Sequence, residues 1–279
     1  TVAPFLSKSK VQISVAFTTG QFKMTTTNSS YTNGELASRK DSARRLAANM
    51  AVDENLQNCQ TIGIGSGRTM VFVVERIAEL LKQKSWSVKC VPTSYQAKQL
   101  IREHGMPLAE LEYCTAPLDW AVDGADEVDA NLALIKGGGG CLLQEKIVDT
   151  AANSLVIVCD EAKISRQFGE RWRAGVPIEV VPMAWALVKR QIETRFGGRA
   201  VLRESAGKMG PVVTDNGNFL IDWQFDAQQK WEQVDRELHM MPGLVETGLF
   251  IGKASAVYVG KFDGGVEKLL PPDGDAAGK

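Results

Sequence analysis

Between residues 36 and 160, short apolar runs alternate with segments whose apolar residues recur at helical spacing. The apolar runs, each four or five residues long, cover 61–65, 88–91, 118–122 and 155–159, and the helical segments cover 36–52, 70–81, 95–104 and 142–152. Strands that are apolar on both faces and are separated by helices are typical of a parallel sheet with helices on both sides. The sequence therefore predicts an α/β fold built on a Rossmann-like parallel sheet.

The pattern changes near Pro177 and again before Gly248. Strand-like runs at 178–181, 200–203 and 219–222 alternate with helical segments at 183–194 and 228–239, and 212–213 can form a hairpin with 219–222 around 215–218. This β-α-β-β-α order predicts a small α+β (ferredoxin-like) domain at 177–247. It is inserted into an α/β domain made of 35–176 and 248–279. Residues 1–34 are rich in Ser and Thr and have no acid, and we predict a disordered extension there.

Polar clusters follow the ends of the four predicted parallel strands, at 66–69, 93–94, 123–126 and 160–163. Ligands of open parallel sheets collect in the crevice outside the carboxyl ends of the strands. The sequence therefore predicts one site assembled from several loops at this edge of the sheet.

The loop Gly65-Ser66-Gly67-Arg68-Thr69 links a predicted strand to a helix. Its glycines expose backbone N–H groups beside a helix N-terminus, which favours an anion such as phosphate. No GKS or GKT follows, so it is not a Walker loop, and the full dinucleotide fingerprint is absent. A tight connection without a ligand accounts for such a turn about equally well.

The acidic segment 123–129 has two interpretations. It is either a solvated turn or cation site, or a pair of carboxylates, Asp123 and Asp126, that bind sugar hydroxyls and exchange protons. The run Lys136-Gly137-Gly138-Gly139-Gly140 is harder to explain by stability, because each glycine costs roughly 0.5–1 kcal/mol relative to alanine in a regular element. Close approach of backbone amides and the Lys136 ammonium to a negative ligand is the stronger interpretation, with a flexible hinge as the alternative. Glu145, on the following helix, is either a surface residue or a base facing the glycine run.

Composition excludes several other functions. The net charge is -1, with 32 basic and 33 acidic side chains, so no global field attracts nucleic acid or a membrane surface. The five cysteines form no CxxC pair, and neither His104 nor His239 fits a metal or triad pattern. No apolar run is long enough to span a membrane. These features predict no metal site, no nucleic-acid or membrane partner, and a reducing, cytoplasmic location.

Seven blocks together carry a family resemblance: GIGSGRT, PTSYQA, DGADEVD, LIKGGGGCLLQEKIV, GVPIEVVP, GPVVTDNGN and PGLVETGLF. From about Leu36 to the C-terminus the chain resembles ribose-5-phosphate isomerase of the A type, in its eukaryotic branch. The resemblance implies an aldose–ketose isomerase that interconverts D-ribose 5-phosphate and D-ribulose 5-phosphate through a cis-enediolate, in the non-oxidative pentose phosphate pathway. It implies no cofactor. A homodimer or homotetramer is expected, with the inserted domain as a contact surface.

The resemblance also assigns residues. It makes Glu145 the catalytic base, Asp123 the group for ring opening, and Lys136 the support for developing negative charge. The implied substrate loops are Ser66, Gly67, Arg68 and Thr69; Asp123, Gly124, Ala125 and Asp126; and Lys136, Gly137, Gly138 and Gly139, with Lys163 from a further strand end. The family often has serine where this chain has Arg68.

Two other kinds of protein share this general fold. A coenzyme A transferase-like enzyme uses a glutamate nucleophile on a comparable sheet, but this chain has no evident adenine-binding segment. A non-catalytic sugar-phosphate sensor is expected to carry a DNA-binding helix pair, and residues 1–34 have neither the helical pattern nor the charge for one.

Overall fold

The computed structural model describes residues 12–18, 21–27 and 33–272. In chain order the strands are β1 (Gln12–Thr18), β2 (Gln21–Thr27), β3 (Thr61–Ile64), β4 (Lys89–Pro92), β5 (Trp120–Asp123), β6 (Glu127–Val128), β7 (Leu134–Ile135), β8 (Leu155–Asp160), β9 (Val176–Val180), β10 (Arg199–Leu202), β11 (Phe219–Gln224), β12 (Leu244–Thr247), β13 (Leu249–Phe250), β14 (Ala254–Gly260) and β15 (Val266–Leu269). The helices are α1 (Asn33–Asn55), α2 (Arg68–Lys84), α3 (Tyr95–Glu103), α4 (Leu142–Thr150), α5 (Trp185–Phe196) and α6 (Trp231–His239).

The main sheet has six strands in the order β15-β14-β8-β5-β3-β4. All neighbours pair in parallel except β15, which runs antiparallel to β14 at one edge. Along β8, Val156 and Val158 pack into the core beside α1, α2 and α3, while Ile157 and Cys159 pack into a second core on the opposite face. The sheet is therefore buried on both faces, and the predicted Rossmann-like parallel sheet is confirmed.

A separate antiparallel sheet contains four strands in the order β10-β11-β9-β12. Together with α5 and α6 it forms the β-α-β-β-α-β arrangement of a ferredoxin-like domain, as predicted. Its core includes Ile178, Val188, Trp223 and Leu238, all with at most 4% exposure, and aromatic rings pack edge to face around Trp223. The four strands lie between Val176 and Thr247, and the exact domain boundaries at 177 and 247 stay a prediction.

A small third sheet was not predicted. Its strands β13, β7 and β6 are two residues long and pair antiparallel. Runs this short carry no readable periodicity, which is why the sequence pattern missed them. The sheet positions Lys136, which directly follows β7 and whose backbone N–H donates to Gly248 O at 2.9 Å.

Regular structure also occurs before residue 33. The prediction of a disordered extension did not anticipate that β1 and β2 pair antiparallel as a hairpin. Ile13, Val15 and Phe17 alternate with polar or small residues, which is the period of a strand. The other residues of the predicted extension before Asn33 lie outside the described ranges. Among the described residues, no helix combines the length and apolar character needed to cross a bilayer.

Candidate active site

The carboxyl ends of β3, β5 and β8 open onto a cavity of about 420 Å³. Every site residue that the family resemblance assigns lines it: Ser66, Gly67, Arg68, Thr69, Asp123, Gly124, Ala125, Asp126, Lys136, Gly137, Gly138, Gly139, Glu145 and Lys163. Thr93 and Ser94, from the polar cluster after β4, do not line it. The predicted location at the carboxyl edge follows from the parallel strands, because their polar C-terminal loops all emerge on one side.

Lys136 is the charged centre of the cavity. Its side chain is 2% exposed, and Nζ lies 2.8 Å from Asp123 Oδ2, 3.3 Å from Glu145 Oε2 and 2.7 Å from the carbonyl oxygen of Gly124, to which it donates. Burial favours the neutral amine, but the Asp123 and Glu145 carboxylates outweigh it and hold the pKa of Lys136 above its usual value. The side chain is therefore a permanent, fixed cation.

Asp123 is held where β5 ends. Its Oδ1 accepts hydrogen bonds from the backbone N–H groups of Ser66 (3.1 Å) and Gly124 (2.7 Å). The carboxylate lies so close to Gly65 that a Cβ on that residue would come within 2.1 Å of it. Glycine at 65 therefore allows the β3 and β5 loops to meet, and the Asp123 carboxylate is held by the backbone of both loops and by Lys136.

Glu145 lies in the first turn of α4 and is 6% exposed. Burial raises the pKa of its carboxyl, the charge of Asp123 raises it further, and Lys136 opposes both, leaving a value of about 8. Within the described chain no aligned hydrogen bond reaches Glu145 Oε2, although Lys136 Nζ is near it. A carboxyl that titrates near neutrality and is not tied up by hydrogen bonds is suited to take and return a proton.

The remaining acids of the 123–129 segment have different tasks. Asp126 lines the cavity, and its Oδ2 accepts the N–H of Gly138 at 2.6 Å, while burial raises its pKa. Glu127 is buried and accepts two backbone N–H groups, those of Gly169 and Arg171, each at 2.7 Å. Asp129 closes its own turn. Only Asp123 and Asp126 face the cavity, which matches the second interpretation of this segment in position.

Gly137 and Gly138, within the glycine run, approach their neighbours closely. A Cβ at Gly138 would come within 2.7 Å of Asp126 Oδ1 and 2.8 Å of the Trp172 ring. A side chain at that position would therefore push apart the loop and the Asp126 carboxylate. Close packing around the cavity therefore accounts for glycine at position 138, and a flexible hinge is not needed to explain it.

The other end of the cavity is lined by positive groups. The N-terminus of α2 begins at Arg68, and helix N-termini carry a partial positive charge. Ser66 Oγ lies 2.9 Å from Thr93 Oγ1 and 2.6 Å from Ser94 Oγ, so its hydroxyl is held in place. Arg68 is exposed at the rim, and Lys163 lies over the Trp172 ring at 5.5 Å. This end is suited to an anionic group.

Sequence reasoning missed several residues of the cavity. Arg44 on α1 lines it and pairs with Asp160 at the end of β8, with Nε and Nη2 lying 2.8 and 2.7 Å from Asp160 Oδ2. Gln96 accepts the Gly67 N–H at 2.8 Å. Arg44 lies on a helix surface 116 residues before its partner, and no local signal in the sequence connects the two. The motif PTSYQA gave the only hint of Gln96.

A second buried carboxyl lies behind Glu145. Asp149, one helical turn further along α4, is 5% exposed, and neither of its oxygens has a hydrogen-bond partner within the described chain. Burial, with the charges of Asp123 and Glu145, raises its pKa well above the usual value, while Lys136 and Lys253 lower it. A raised pKa in the folded state means that folding becomes less favourable as pH rises above the unfolded value near 4.

We therefore expect Asp149→Asn to gain stability relative to the parent chain as pH increases from about 5 to 8, by about 1–3 kcal/mol, the cost of an unsatisfied buried polar group. Urea unfolding at several pH values measures this difference. The exposed turn residue Asp263 offers a matched control in Asp263→Asn, for which we expect no such pH trend. A constant difference between the Asp149→Asn and parent chains would contradict the interpretation.

The family model described as "Ribose 5-phosphate isomerase A (phosphoriboisomerase A)" matches residues 89–264 of this chain. A Homo sapiens protein named ribose-5-phosphate isomerase is 50% identical over 235 residues, covering 84% of this chain and 75% of that protein. A Dictyostelium discoideum protein of the same name is 49% identical over 227 residues, covering 80% and 96% of the two chains.

Solved structures agree with the sequence matches. A D-ribose-5-phosphate isomerase in complex with phospho-erythronic acid superposes with a TM-score of 0.78 at 40% identity, covering 83% of this chain and 99% of that one. Ribose 5-phosphate isomerase A of Methanocaldococcus jannaschii gives 0.76 at 37% identity, covering 82% and 98%. The residues that the family model matches include β4 to β14, with the whole inserted sheet, and the cavity loops at 123–126 and 136–139. This chain belongs to the ribose 5-phosphate isomerase A family.

Proposed function

We propose that this protein is an aldose–ketose isomerase that interconverts D-ribose 5-phosphate and D-ribulose 5-phosphate. The observation that carries the proposal is a buried carboxyl with a raised pKa, Glu145, held 3.3 Å from the fixed ammonium of Lys136 in a cavity whose other end is positive. Relatives about half identical to this chain bear the name of that enzyme. A related structure binds phospho-erythronic acid, an acidic four-carbon sugar phosphate.

The phosphate of the sugar binds at the positive end of the cavity. Backbone amides at the N-terminus of α2, the hydroxyl of Thr69 and the cations Arg68, Lys163 and Arg44 surround this end. Fixing the phosphate here places the sugar carbons toward Lys136 and Glu145, and such positioning converts part of the binding energy into rate.

Ring opening comes first because the sugar is supplied mainly as a cyclic hemiacetal. Asp123, anchored through Oδ1 by two backbone N–H groups, keeps Oδ2 without an aligned hydrogen bond in the described chain. That oxygen takes the proton of the anomeric hydroxyl as the bond between C1 and the ring oxygen breaks, and it returns the proton to the released ring oxygen, so that the open aldehyde results.

Isomerisation then moves one proton between adjacent carbons. Ionised Glu145 removes the proton from C2, and the C2–H electron pair forms the C1–C2 double bond of a cis-enediolate while charge moves to the C1 oxygen. The proton of the C2 hydroxyl passes to the C1 oxygen, which leaves the negative charge on the C2 oxygen. The same carboxyl then returns its proton to C1, and the C2 oxygen becomes the ketone. Lys136 lies where the negative charge develops and stabilises it as a preorganised donor.

The direct test is ketose formation from D-ribose 5-phosphate, followed with the full chain in the presence of excess chelator. We expect turnover at an undiminished rate, because a carboxylate base and a lysine cation complete the chemistry described above. A chain that yields no ribulose 5-phosphate, or one that needs added metal, would refute the proposal. Arabinose 5-phosphate, which differs at C2, serves as a matched substrate control.

A coenzyme A transferase-like activity is not favoured, because the proteins that match most of this chain are isomerases.

We also propose a cytoplasmic location, which is supported by five cysteines that are all unpaired thiols. The proposal also includes a homodimer or homotetramer. In support, Leu187 and Met240 on the small domain are 43% and 82% exposed and line one groove, and contiguous exposed apolar side chains are typical of subunit contacts.

A further inference from the structure

Arg203, which directly follows β10, reaches from the small domain to the back of the glycine run. Its Nε and Nη2 lie 2.8 and 2.5 Å from the two carboxylate oxygens of Asp222 on the neighbouring strand β11. Its Nη1 donates to two backbone carbonyls, those of Gly137 (3.1 Å) and Gly138 (3.2 Å). The side chain is 16% exposed and does not itself line the cavity. One guanidinium therefore connects a carboxylate of the small domain with two peptide groups of the site.

Those two carbonyls determine where the adjoining N–H groups point. In a trans peptide the C=O and the following N–H lie in one plane and point in opposite directions. Because Gly137 O faces Arg203, the N–H of Gly138 faces away from it, and it donates to Asp126 Oδ2 at 2.6 Å. Because Gly138 O also faces Arg203, the N–H of Gly139 faces away from it in the same manner.

The N–H of Gly139 has no acceptor among the described residues, although Gly139 lines the cavity beside Lys136. A backbone donor held at a fixed angle, free of a partner and next to a fixed cation is the arrangement that stabilises a developing oxyanion. Water would satisfy such a donor in the resting enzyme, and a substrate oxygen would replace it.

We infer that Arg203 is a positioning residue for the isomerisation, which aims the Gly138 and Gly139 peptide groups so that the Gly139 N–H meets the enediolate oxygen. The inference rests on the proposed function. Asp222 orients the guanidinium by a two-point contact, and only a planar group with several donors can make that contact and reach two carbonyls as well. Lysine, with one donor centre, cannot do both.

The test compares kcat and KM for D-ribose 5-phosphate in the parent chain, Arg203→Ala and Arg203→Lys. Removal of a single oxyanion donor costs about 10²–10³-fold in kcat. In Arg203→Ala the Gly139 donor is present but no longer aimed, so we expect kcat to fall by about 10–10²-fold with KM changed less than about threefold. Arg203→Lys is expected to recover only part of the loss.

Added guanidinium ion separates positioning from a general structural role. At about 50 mM, far below the molar concentrations that unfold proteins, it can occupy the space left in Arg203→Ala, and we expect it to raise kcat of that variant alone. Arg195→Ala is the matched control. Arg195 belongs to the same domain, pairs with Glu237 on the outer surface, and contacts no residue of the cavity.

A folded Arg203→Ala chain with kcat within about twofold of the parent would overturn the inference, as would a loss confined to KM. If Arg203→Ala does not fold, Arg203→Lys is judged by the same two criteria. An inactive parent chain would instead refute the proposed function, so the two failures are distinguishable.

Discussion

Glu145→Gln is expected to lose at least about 10²-fold in kcat, and up to about 10⁴-fold, with little change in KM. The reason is that glutamine keeps the size of the side chain but cannot accept a proton from C2. A positioned general base contributes about 3–5 kcal/mol of barrier lowering, which corresponds to this range. Steady-state kinetics on the purified full chain measures both constants. Turnover near that of the parent chain would remove Glu145 from the role of base.

The pH profile gives a second readout of the same residue. The pKa of Glu145 is raised to about 8, so the carboxyl is mostly protonated at neutral pH and ionises as pH increases. Only the ionised form is a base, and we therefore expect kcat/KM of the parent chain to rise with pH and to level off above about 8. That rise should disappear in Glu145→Gln and persist in Glu112→Gln, a control at an exposed glutamate.

Replacement of the central cation is expected to damage binding, rate and stability together. Lys136→Met keeps a long unbranched side chain but leaves the buried Asp123 carboxylate, and Glu145 when it is ionised, without a counter-charge. We expect kcat to fall by about 10²–10³-fold, since a preorganised donor to the oxyanion is lost. KM should rise as well, because Lys136 also meets the substrate oxygens before the reaction. Breaking a buried ion pair typically costs about 3–5 kcal/mol of folding free energy.

Kinetics and urea unfolding of Lys136→Met check these expectations. Lys98→Met is a suitable control, because Lys98 forms an exposed pair with Glu110 at 2.9 Å, and such pairs contribute about 0–1 kcal/mol. An unchanged KM in Lys136→Met would contradict a contact with the substrate in the ground state. An unchanged kcat would contradict the oxyanion role.

The main sheet was predictable because its strands are short, apolar on both faces and separated by helices. Val156 and Ile157 are adjacent in sequence and pack into different cores, and this explains why β8 has no polar alternation. The location of the site followed from the same pattern, since polar loops after parallel strands must share one edge. The ligand-facing role of the glycine run was argued from the cost of glycine, whereas the choice of Glu145 as base came from the family resemblance.

The residues of the site that sequence reasoning did not identify belong to no recognisable motif. Arg44 and Asp149 are polar residues within helices and Arg203 directly follows a strand, and a solvent-exposed position is the ordinary expectation for such residues. Their surroundings depend on chain segments far away in sequence. Arg203 contacts Gly137 across 66 residues, and Arg44 contacts Asp160 across 116. Periodicity describes one element at a time and cannot anticipate such contacts.

The order of strands has a consequence for how the enzyme acquires activity during folding. In the main sheet β8 pairs with β14, so that Ile157 meets Val257, and β7, which presents Lys136, pairs with β13. Both partners are made after the whole small domain has been synthesised. Contacts between segments so distant in sequence form slowly, because the loop between them must close first. Chains still emerging from the ribosome thus contain Glu145 and Asp123 without the strand that fixes their cation, and the site is complete only after β13 and β14 have been made.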